Sequence, residues 1–173
     1  MKNKTQSLFG IWMVGLLLSA VTLLAQESKL ENPLPGKKAN AAFENAEEGP
    51  ATVKVSTNDG KSLLDKQLRK QTIENAKWTN DGNYLIMIGR NSDGHSPWRC
   101  IAAVFSVADR EVRIIDDTKT NLPIISPEIR CEGPDGVELT AHTFKNNKPA
   151  PDDPIKVNYS MSKEWASLKK MEK

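Results

Sequence analysis

Three short apolar runs within residues 78–117 constrain the fold more than any other feature of the chain. They cover residues 84–88, 101–107 and 112–115, and they are rich in β-branched and aromatic side chains. Turn-forming Asp-Gly pairs precede and follow the first run. Runs of this length between such pairs are typical of strands joined by hairpins. We therefore predict an up-and-down antiparallel meander at the centre of a mainly β protein, either a propeller-blade-like sheet or a small sandwich.

The first of these runs is apolar on both faces of the predicted strand. Residues alternate between the two sides of a strand, so Ile86 and Ile88 share one side, and Leu85 and Met87 share the other. A strand that is apolar on both sides must be covered on both sides. The largest residues that could cover it are Trp78, Trp98, Trp165 and Leu168.

The first 25 residues have the pattern of a secretory signal peptide. A basic start with Lys2 and Lys4 precedes an uncharged, largely apolar stretch over residues 8–25, which ends in Ala25. An uncleaved N-terminal anchor is the alternative, because an uncharged stretch of this length is just sufficient to span a bilayer. Both interpretations predict that the rest of the chain is exported, either to a periplasm or out of the cell.

Beyond residue 25 the chain carries no net charge. Residues 1–25 contain two of the 24 Lys and Arg residues and none of the 22 Asp and Glu residues. A neutral surface of mixed charges creates no long-range field, which argues against nucleic acid and against an anionic membrane surface as the main partner. Contact with a membrane is expected only through the N-terminal segment, if it is not cleaved.

The exported part divides into a linker and one domain. Residues 26–50 are rich in Pro, Gly and charged residues and lack helical or strand periodicity, which predicts a flexible linker. Residues 51–160 are predicted to form the β domain, a length that suits one core. Within it, residues 61–77 fit either an amphipathic helix or a short strand at 62–65 followed by a polar loop, and both remain open.

The last residues, 161–173, are predicted to form a short helix. Ser162 is a suitable N-cap, and Trp165, Leu168 and Met171 would line one side of the helix. This apolar side would pack against the β domain.

Cys100 and Cys131 are the two cysteines of the chain. In an oxidising compartment an even pair most often forms a disulfide, so we predict a bridge between them. A reactive thiol would need a free cysteine in that compartment and is the less favoured interpretation.

The patterns typical of catalytic or metal sites are missing from the sequence. Asn91, Asp93 and His95 resemble the start of a calcium loop, but Ala102 occupies the position of the distal glutamate that such loops require. Neither histidine has a partner at zinc-ligand spacing. We predict no catalytic residue, no metal ligand and no cofactor.

Trp78, Trp98 and His95 are the candidates for a binding surface. The two tryptophans flank the first predicted strand and could form an aromatic platform for a sugar or a peptide. We favour a structural role for Trp78, which would close the core behind the Asp81-Gly82 turn.

Residues 78–86 read W-T-N-D-G-N-Y-L-I, which resembles the W-S-P-D-G-x-x-L-A repeat of TolB-like and related β-propellers. The resemblance implies that the segment from Trp78 to Gly82 is a turn that enters an inner strand, followed by two antiparallel strands. Asn80 stands where the repeat has Pro, and the chain has one good repeat and one poor one at Thr57–Gly60, whereas a closed propeller has about four to eight blades. Propellers of this type often serve as interaction platforms.

These observations favour an exported, non-catalytic module that binds a protein, peptide or glycan. The alternatives are a small secreted hydrolase that uses carboxylates distant in sequence, and an inhibitor or immunity-type protein that blocks one partner.

Overall fold

Antiparallel strands account for most of the regular structure. The computed structural model describes residues 27–33, 39–45, 50–68, 71–91, 99–115, 123–145 and 148–171. The signal peptide or anchor predicted over residues 1–25 lies outside them. The strands are β1 (Glu27–Glu31), β2 (Ala39–Glu44), β3 (Thr52–Thr57), β4 (Ser62–Gln67), β5 (Gln71–Trp78), β6 (Tyr84–Asn91), β7 (Cys100–Ser106), β8 (Glu111–Ile115), β9 (Ile124–Glu132), β10 (Gly136–Lys145), β11 (Lys148–Ser160) and β12 (Lys169–Lys170).

The strands form three antiparallel sheets. The N-terminal sheet has the order β1-β2-β3-β4, the central sheet has the order β12-β8-β7-β6-β5, and the C-terminal sheet has the order β11-β10-β9. The prediction of a mainly β, antiparallel fold with a short helix near the C-terminus is confirmed.

The predicted meander forms the middle of the central sheet. Its three apolar runs lie in β6, β7 and β8, except for Val107 in the turn after β7. These strands pair in sequence order, with Leu85 opposite Phe105 and Phe105 opposite Val112. Only four residues, 107–110, separate β7 from β8, so local sequence signals suffice to predict that these two strands pair.

Both faces of the central sheet are covered, as the pattern of the first apolar run predicts. Ile86 and Ile88 belong to the first core, which lies between the central and C-terminal sheets. Leu85 and Met87 belong to the second core, which lies between the central and N-terminal sheets. The larger residues around them are Ile115, Leu139, Tyr159, Met161 and Trp165 in the first core, and Phe43, Val53, Leu68, Trp78 and Phe105 in the second.

The N-terminal sheet corrects the prediction of a linker over residues 26–50. Residues 27–31 and 39–44 are strands, and β2 pairs with β3 along its whole length. Ala39, Ala41 and Phe43 are buried in alternation along β2 and form part of the second core. Two of these three buried residues are alanines. Alanine is small and only weakly apolar, so the alternation typical of a strand is hard to recognise in the sequence of β2.

The segment over residues 61–77 contains two strands. The predicted short strand is confirmed as part of β4, and the helix alternative is wrong. The polar loop predicted after it is also wrong, because residues 71–78 form β5. Ile73 and Trp78 are the buried anchors of β5 in the second core.

The C-terminal segment is helical for only one turn, so the prediction of a helix over residues 161–173 is wrong beyond its beginning. Met161–Glu164 is α1, Trp165–Ser167 is a 3-10 turn, and β12 follows. The predicted N-cap role of Ser162 is also wrong, because the N-cap residue is Ser160 and the distant Asp135 side chain accepts the Ser162 N–H. The Asp135 carboxylate accepts hydrogen bonds from the Ser162 N–H at 2.8 Å and from the Ser160 hydroxyl at 3.1 Å.

Arg113 in β8 determines where the chain leaves the helical turn. Its guanidinium donates to the carbonyl oxygens of Trp165 at 2.7 Å and Ala166 at 3.1 Å, and it lies 4.6 Å from the centre of the Trp165 ring. The Trp165 carbonyl also accepts the Leu168 N–H at 3.2 Å, so Arg113 binds the end of the 3-10 turn. Trp165 consequently packs in the first core, whereas Met171 packs against the second, on the opposite face of the central sheet.

The predicted disulfide is not present, because Cys100 and Cys131 are both free thiols. The Cys131 thiol donates to the carbonyl oxygen of Trp78 at 3.3 Å, at the end of β5. Cys100 pairs with Arg90, which pairs with Thr72 near the start of β5. Six residues of strand correspond to about 20 Å, whereas bridged cysteines have Cα atoms within about 7 Å of each other. The sheet register therefore keeps the two thiols apart.

We expect Cys100 to resist alkylation in the folded protein. The residue is 3% exposed, and burial raises the pKa of its thiol from 9.0 to about 11, with Glu74 adding to the rise and Arg90 opposing it. At pH 8 the thiolate fraction is therefore lowered about a hundredfold, and the thiolate is the species that reacts. Timed iodoacetamide labelling with mass spectrometry should modify Cys100 rapidly only in denaturant. Equal rates with and without denaturant would contradict the buried position.

Candidate functional site

Of the three residues predicted from sequence as a binding surface, the structure describes Trp78. His95 and Trp98 lie outside the described residues. Trp78 is 2% exposed within the second core, and its indole N–H donates to the carbonyl oxygen of Leu30 at 3.4 Å. Trp78 therefore joins the N-terminal and central sheets and presents almost no surface to a ligand.

The turn after Trp78 is a structural unit built on Asp81. The Asp81 carboxylate accepts hydrogen bonds from the Thr79 hydroxyl at 2.6 Å and from the backbone N–H of Asn83 at 3.0 Å. Gly82 follows with a φ of 62°, the left-handed region that favours glycine. The Asp81 N–H donates to the carbonyl oxygen of Pro134 at 2.7 Å, so the turn also docks on the C-terminal sheet.

Three carboxylates surround Tyr84 at this end of the molecule. Burial raises the pKa of the Tyr84 phenol, and the charges of Asp81, Asp109 and Asp135 raise it further. Each carboxylate is already a hydrogen-bond acceptor, since Asp109 accepts from the Ser106 hydroxyl at 2.7 Å and Asp81 and Asp135 have the partners described above. Hydrogen bonds from Ser162 lower the pKa of Asp135. These carboxylates hold turns and a helical turn in place.

A cleft between the edge strands of two sheets is the clearest candidate for a site. It lies where β1, the edge of the N-terminal sheet, faces β5, the edge of the central sheet. Its volume is about 170 Å³. The cleft is lined by Ser28, Lys29, Leu30, Phe43, Asn45, Ile73, Glu74, Asn75 and Ala76.

Asn45 joins the two walls of the cleft. Its side-chain amide donates to the carbonyl oxygen of Ile73 at 2.9 Å and accepts from the Ile73 N–H at 2.9 Å. A side-chain amide thus pairs with β5 as the backbone of a neighbouring strand would, and it satisfies edge groups that are otherwise unpaired. The result is a fixed spacing between β1–β2 and β5.

A β-bulge in β5 shapes the opposite wall. Ile73 pairs with Gly89 and Asn75 pairs with Ile88, so Glu74 is the extra residue of the bulge. A bulge bends its strand and changes the direction of its side chains. Glu74 forms an ion pair with Arg90, and this hydrogen bond raises the pKa of Arg90, which keeps the guanidinium charged.

The floor of the cleft is apolar and its rim is charged. Phe43 and Ile73 are 5% and 9% exposed, and Leu30 and Ala76 are partly buried beside them. Lys29 is exposed and forms no ion pair with any described residue. Such a surface can hold an apolar group and orient a polar one.

Sequence reasoning missed this cleft because it assigned both walls to loops. The residues of β1 and β2 fell within the predicted linker, and most of β5 fell within the predicted polar loop. The alternation of Ala39, Ala41 and Phe43 is the signal that could have revealed β2. The meeting of β1 with β5 has no local signal, since these strands belong to different sheets.

Comparison with known proteins gives little similarity. No family model and no curated protein matches the chain, so the resemblance to TolB-like blades remains a prediction. One solved structure, a candidate conserved lipoprotein from Clostridium novyi NT, is similar with a TM-score of 0.45 and 15% sequence identity, over 78% of this chain and 92% of that one.

The described residues contain no helix with the length and apolar character needed to cross a membrane. Among the same residues, no group of three or more His, Cys, Asp or Glu side chains is arranged to hold a metal ion.

Proposed function

We propose that the protein is an exported, non-catalytic module that binds a protein, peptide or glycan through the cleft between β1 and β5. The observation that carries this proposal is the cleft itself, an indentation with an apolar floor and a charged rim between two sheet edges. Export is supported by the signal-like pattern of residues 1–25.

The size of the cleft supports binding of part of a larger ligand. Sites that enclose a drug-sized molecule have volumes of about 300–1,000 Å³, whereas this cleft has a volume of about 170 Å³. A ligand would place one group in the cleft and leave the remainder on the surface around it. This mode of contact suits a side chain or a terminal sugar of a larger molecule.

A pair of alanine-to-tryptophan variants tests the proposal. Ala76 lines the cleft, and Ala108 is exposed in the turn between β7 and β8, remote from it. We expect tagged mature protein to recover a partner from its solubilised native envelope, and we expect Ala108→Trp to recover the same partner. Ala76→Trp should recover about tenfold less of this partner than the wild type does, because the indole side chain would occupy the cleft.

A second variant guards against misfolding of Ala76→Trp. Lys29→Glu changes the charge of the rim at an exposed position. Its free energy of unfolding should differ from that of the wild type by less than about 0.5 kcal/mol, as is typical of surface substitutions. Recovery of the partner by Ala76→Trp and Lys29→Glu at the wild-type level would place binding elsewhere and overturn the proposal.

A further inference from the structure

The backbone hydrogen bonds of the N-terminal sheet determine which groups of β1 face the cleft. The Ala51 carbonyl accepts from the Leu68 N–H at 2.8 Å, and the Thr57 N–H donates to the Lys61 carbonyl at 2.9 Å. Odd-numbered residues of β3 therefore direct their backbone groups toward β4, and even-numbered residues direct them toward β2. The registers of β2 with β3 and of β1 with β2 contain no shift, so the alternation continues into β1.

Lys29 directs its backbone away from β2 and toward the cleft. Ser28 and Leu30 pair with Phe43 and Ala41, whose backbone groups point toward β1, and Lys29 alternates with them. The Lys29 side chain lies on the face of the sheet opposite Leu30 and Phe43. Lys29 nevertheless lines the cleft, and the group that it offers there is the backbone N–H and C=O.

Ala76 offers the matching groups on the opposite wall. The Thr79 N–H donates to the Tyr84 carbonyl at 2.9 Å, so Thr79 and Lys77 direct their backbone groups toward β6. Ala76 and Trp78 alternate with them and direct theirs away from β6. Among the described residues, neither β1 nor β5 pairs with another strand on the side of the cleft.

An amide already occupies one end of the gap between these edges. The Asn45 side chain exchanges two hydrogen bonds with the Ile73 backbone, as a peptide group of an added strand would. At the other end, the Asn32 side chain donates to the Gly82 carbonyl at 2.9 Å. Asn45 lies beside the start of β1 and Asn32 lies just beyond its end, so β1 and β5 run in the same direction.

We propose that an extended segment of a partner protein adds as an antiparallel strand between β1 and β5. The inference rests on the proposed function and names a peptide as the ligand of the same cleft. One residue of the segment would exchange hydrogen bonds with Lys29, and the next residue would exchange them with Ala76. Unpaired donors and acceptors at strand spacing on both walls select an extended peptide over a glycan.

The same pairing determines which side chain of the segment is apolar. Residues that pair directly across two strands share one face of the sheet. The residue opposite Ala76 therefore directs its side chain to the inner side, where Phe43 and Ile73 form the apolar floor. The residue opposite Lys29 directs its side chain outward, into solvent.

Two capped tripeptides test the proposal. They are acetyl-Thr-Leu-Thr-amide and the same peptide with a methyl group on the leucine nitrogen. Titration of the isotope-labelled mature protein, followed by NMR, should give the largest amide shifts at Lys29 and Ala76 and should slow hydrogen exchange there. The methylated peptide should bind about tenfold more weakly, because it leaves the Ala76 carbonyl without a donor.

A pair of proline variants tests the role of the β1 edge. An edge strand tolerates proline where its N–H points away from the neighbouring strand. Lys29→Pro removes the N–H that faces the cleft and should weaken binding of the unmethylated peptide about tenfold. Asp65→Pro is the matched control at an exposed position of β4, the other edge of the same sheet, and should keep the wild-type affinity. Lys29→Gln retains the N–H and should bind more tightly than Lys29→Pro.

Equal affinity of the two peptides would overturn the inference, and this comparison uses only the wild-type protein. Absence of binding by both peptides, or wild-type affinity in a folded Lys29→Pro, would overturn it as well. The proposed function would stand in each case if Ala76→Trp still lost the partner from the envelope. The partner would then be held by its side chains or sugars and not by an added strand.

Discussion

Replacing Trp78 with alanine is expected to destabilise the protein by about 3–5 kcal/mol, the range for removal of a large buried aromatic side chain. Trp78 is 2% exposed and packs with Leu85, Met87 and Phe105 in the second core. The variant also loses the hydrogen bond from the indole to Leu30, which joins two sheets. Urea denaturation followed by circular dichroism measures the change in the free energy of unfolding.

Trp78→Phe is the matched control for this experiment. It keeps an aromatic ring in the second core and removes the indole N–H, so it should cost clearly less than the alanine variant. A midpoint for Trp78→Ala that equals the wild-type midpoint would contradict the buried position and return Trp78 to the candidates for a ligand surface.

Replacing Gly89 with alanine is expected to cost about 3 kcal/mol, the upper end of the usual range for overpacking. A Cβ atom at Gly89 would overlap the carbonyl oxygen of Thr72 in the neighbouring strand. The obstacle is backbone, which cannot move aside as the end of a flexible side chain can. Because Gly89 lies opposite the bulge in β5, the variant should also widen the separation of β5 and β6 and alter the cleft.

Gly60→Ala separates this steric effect from backbone strain. Gly60 has a φ of 82°, and no atom of the described structure lies within 4 Å of the position that a Cβ would take there, so alanine meets strain without a clash. We expect it to cost about 1–2 kcal/mol. Chemical denaturation of both variants gives the comparison. A smaller cost for Gly89→Ala than for Gly60→Ala would contradict the close approach of β5 to β6.

The proposed binding role is compatible with the absence of net charge beyond residue 25. A molecule without net charge has no long-range attraction for an ionic partner. Recognition by the proposed module must then come from a local arrangement, and in the described structure Lys29 and Glu74 line the same cleft as Phe43 and Ile73. Surfaces of this kind are formed by residues from several strands, so they leave no continuous motif in the sequence.

The sequence by itself determined the central meander, its turns and the need to cover both of its faces. These features depend on alternation within one strand and on turn residues such as Asp81 and Gly82, which act between near neighbours in the chain. The burial of Leu85 and Met87 on one face and of Ile86 and Ile88 on the other follows directly.

Only the tertiary structure decided the positions of the cysteines, the path of the C-terminus and the presence of the cleft. The register of β5, β6 and β7 separates Cys100 from Cys131, and Arg113 redirects the chain after Trp165. The cleft lies where Asn45 joins two sheets at Ile73. Each of these contacts joins residues distant in sequence, and its stability depends on burial that the whole fold provides, so a local pattern does not encode it.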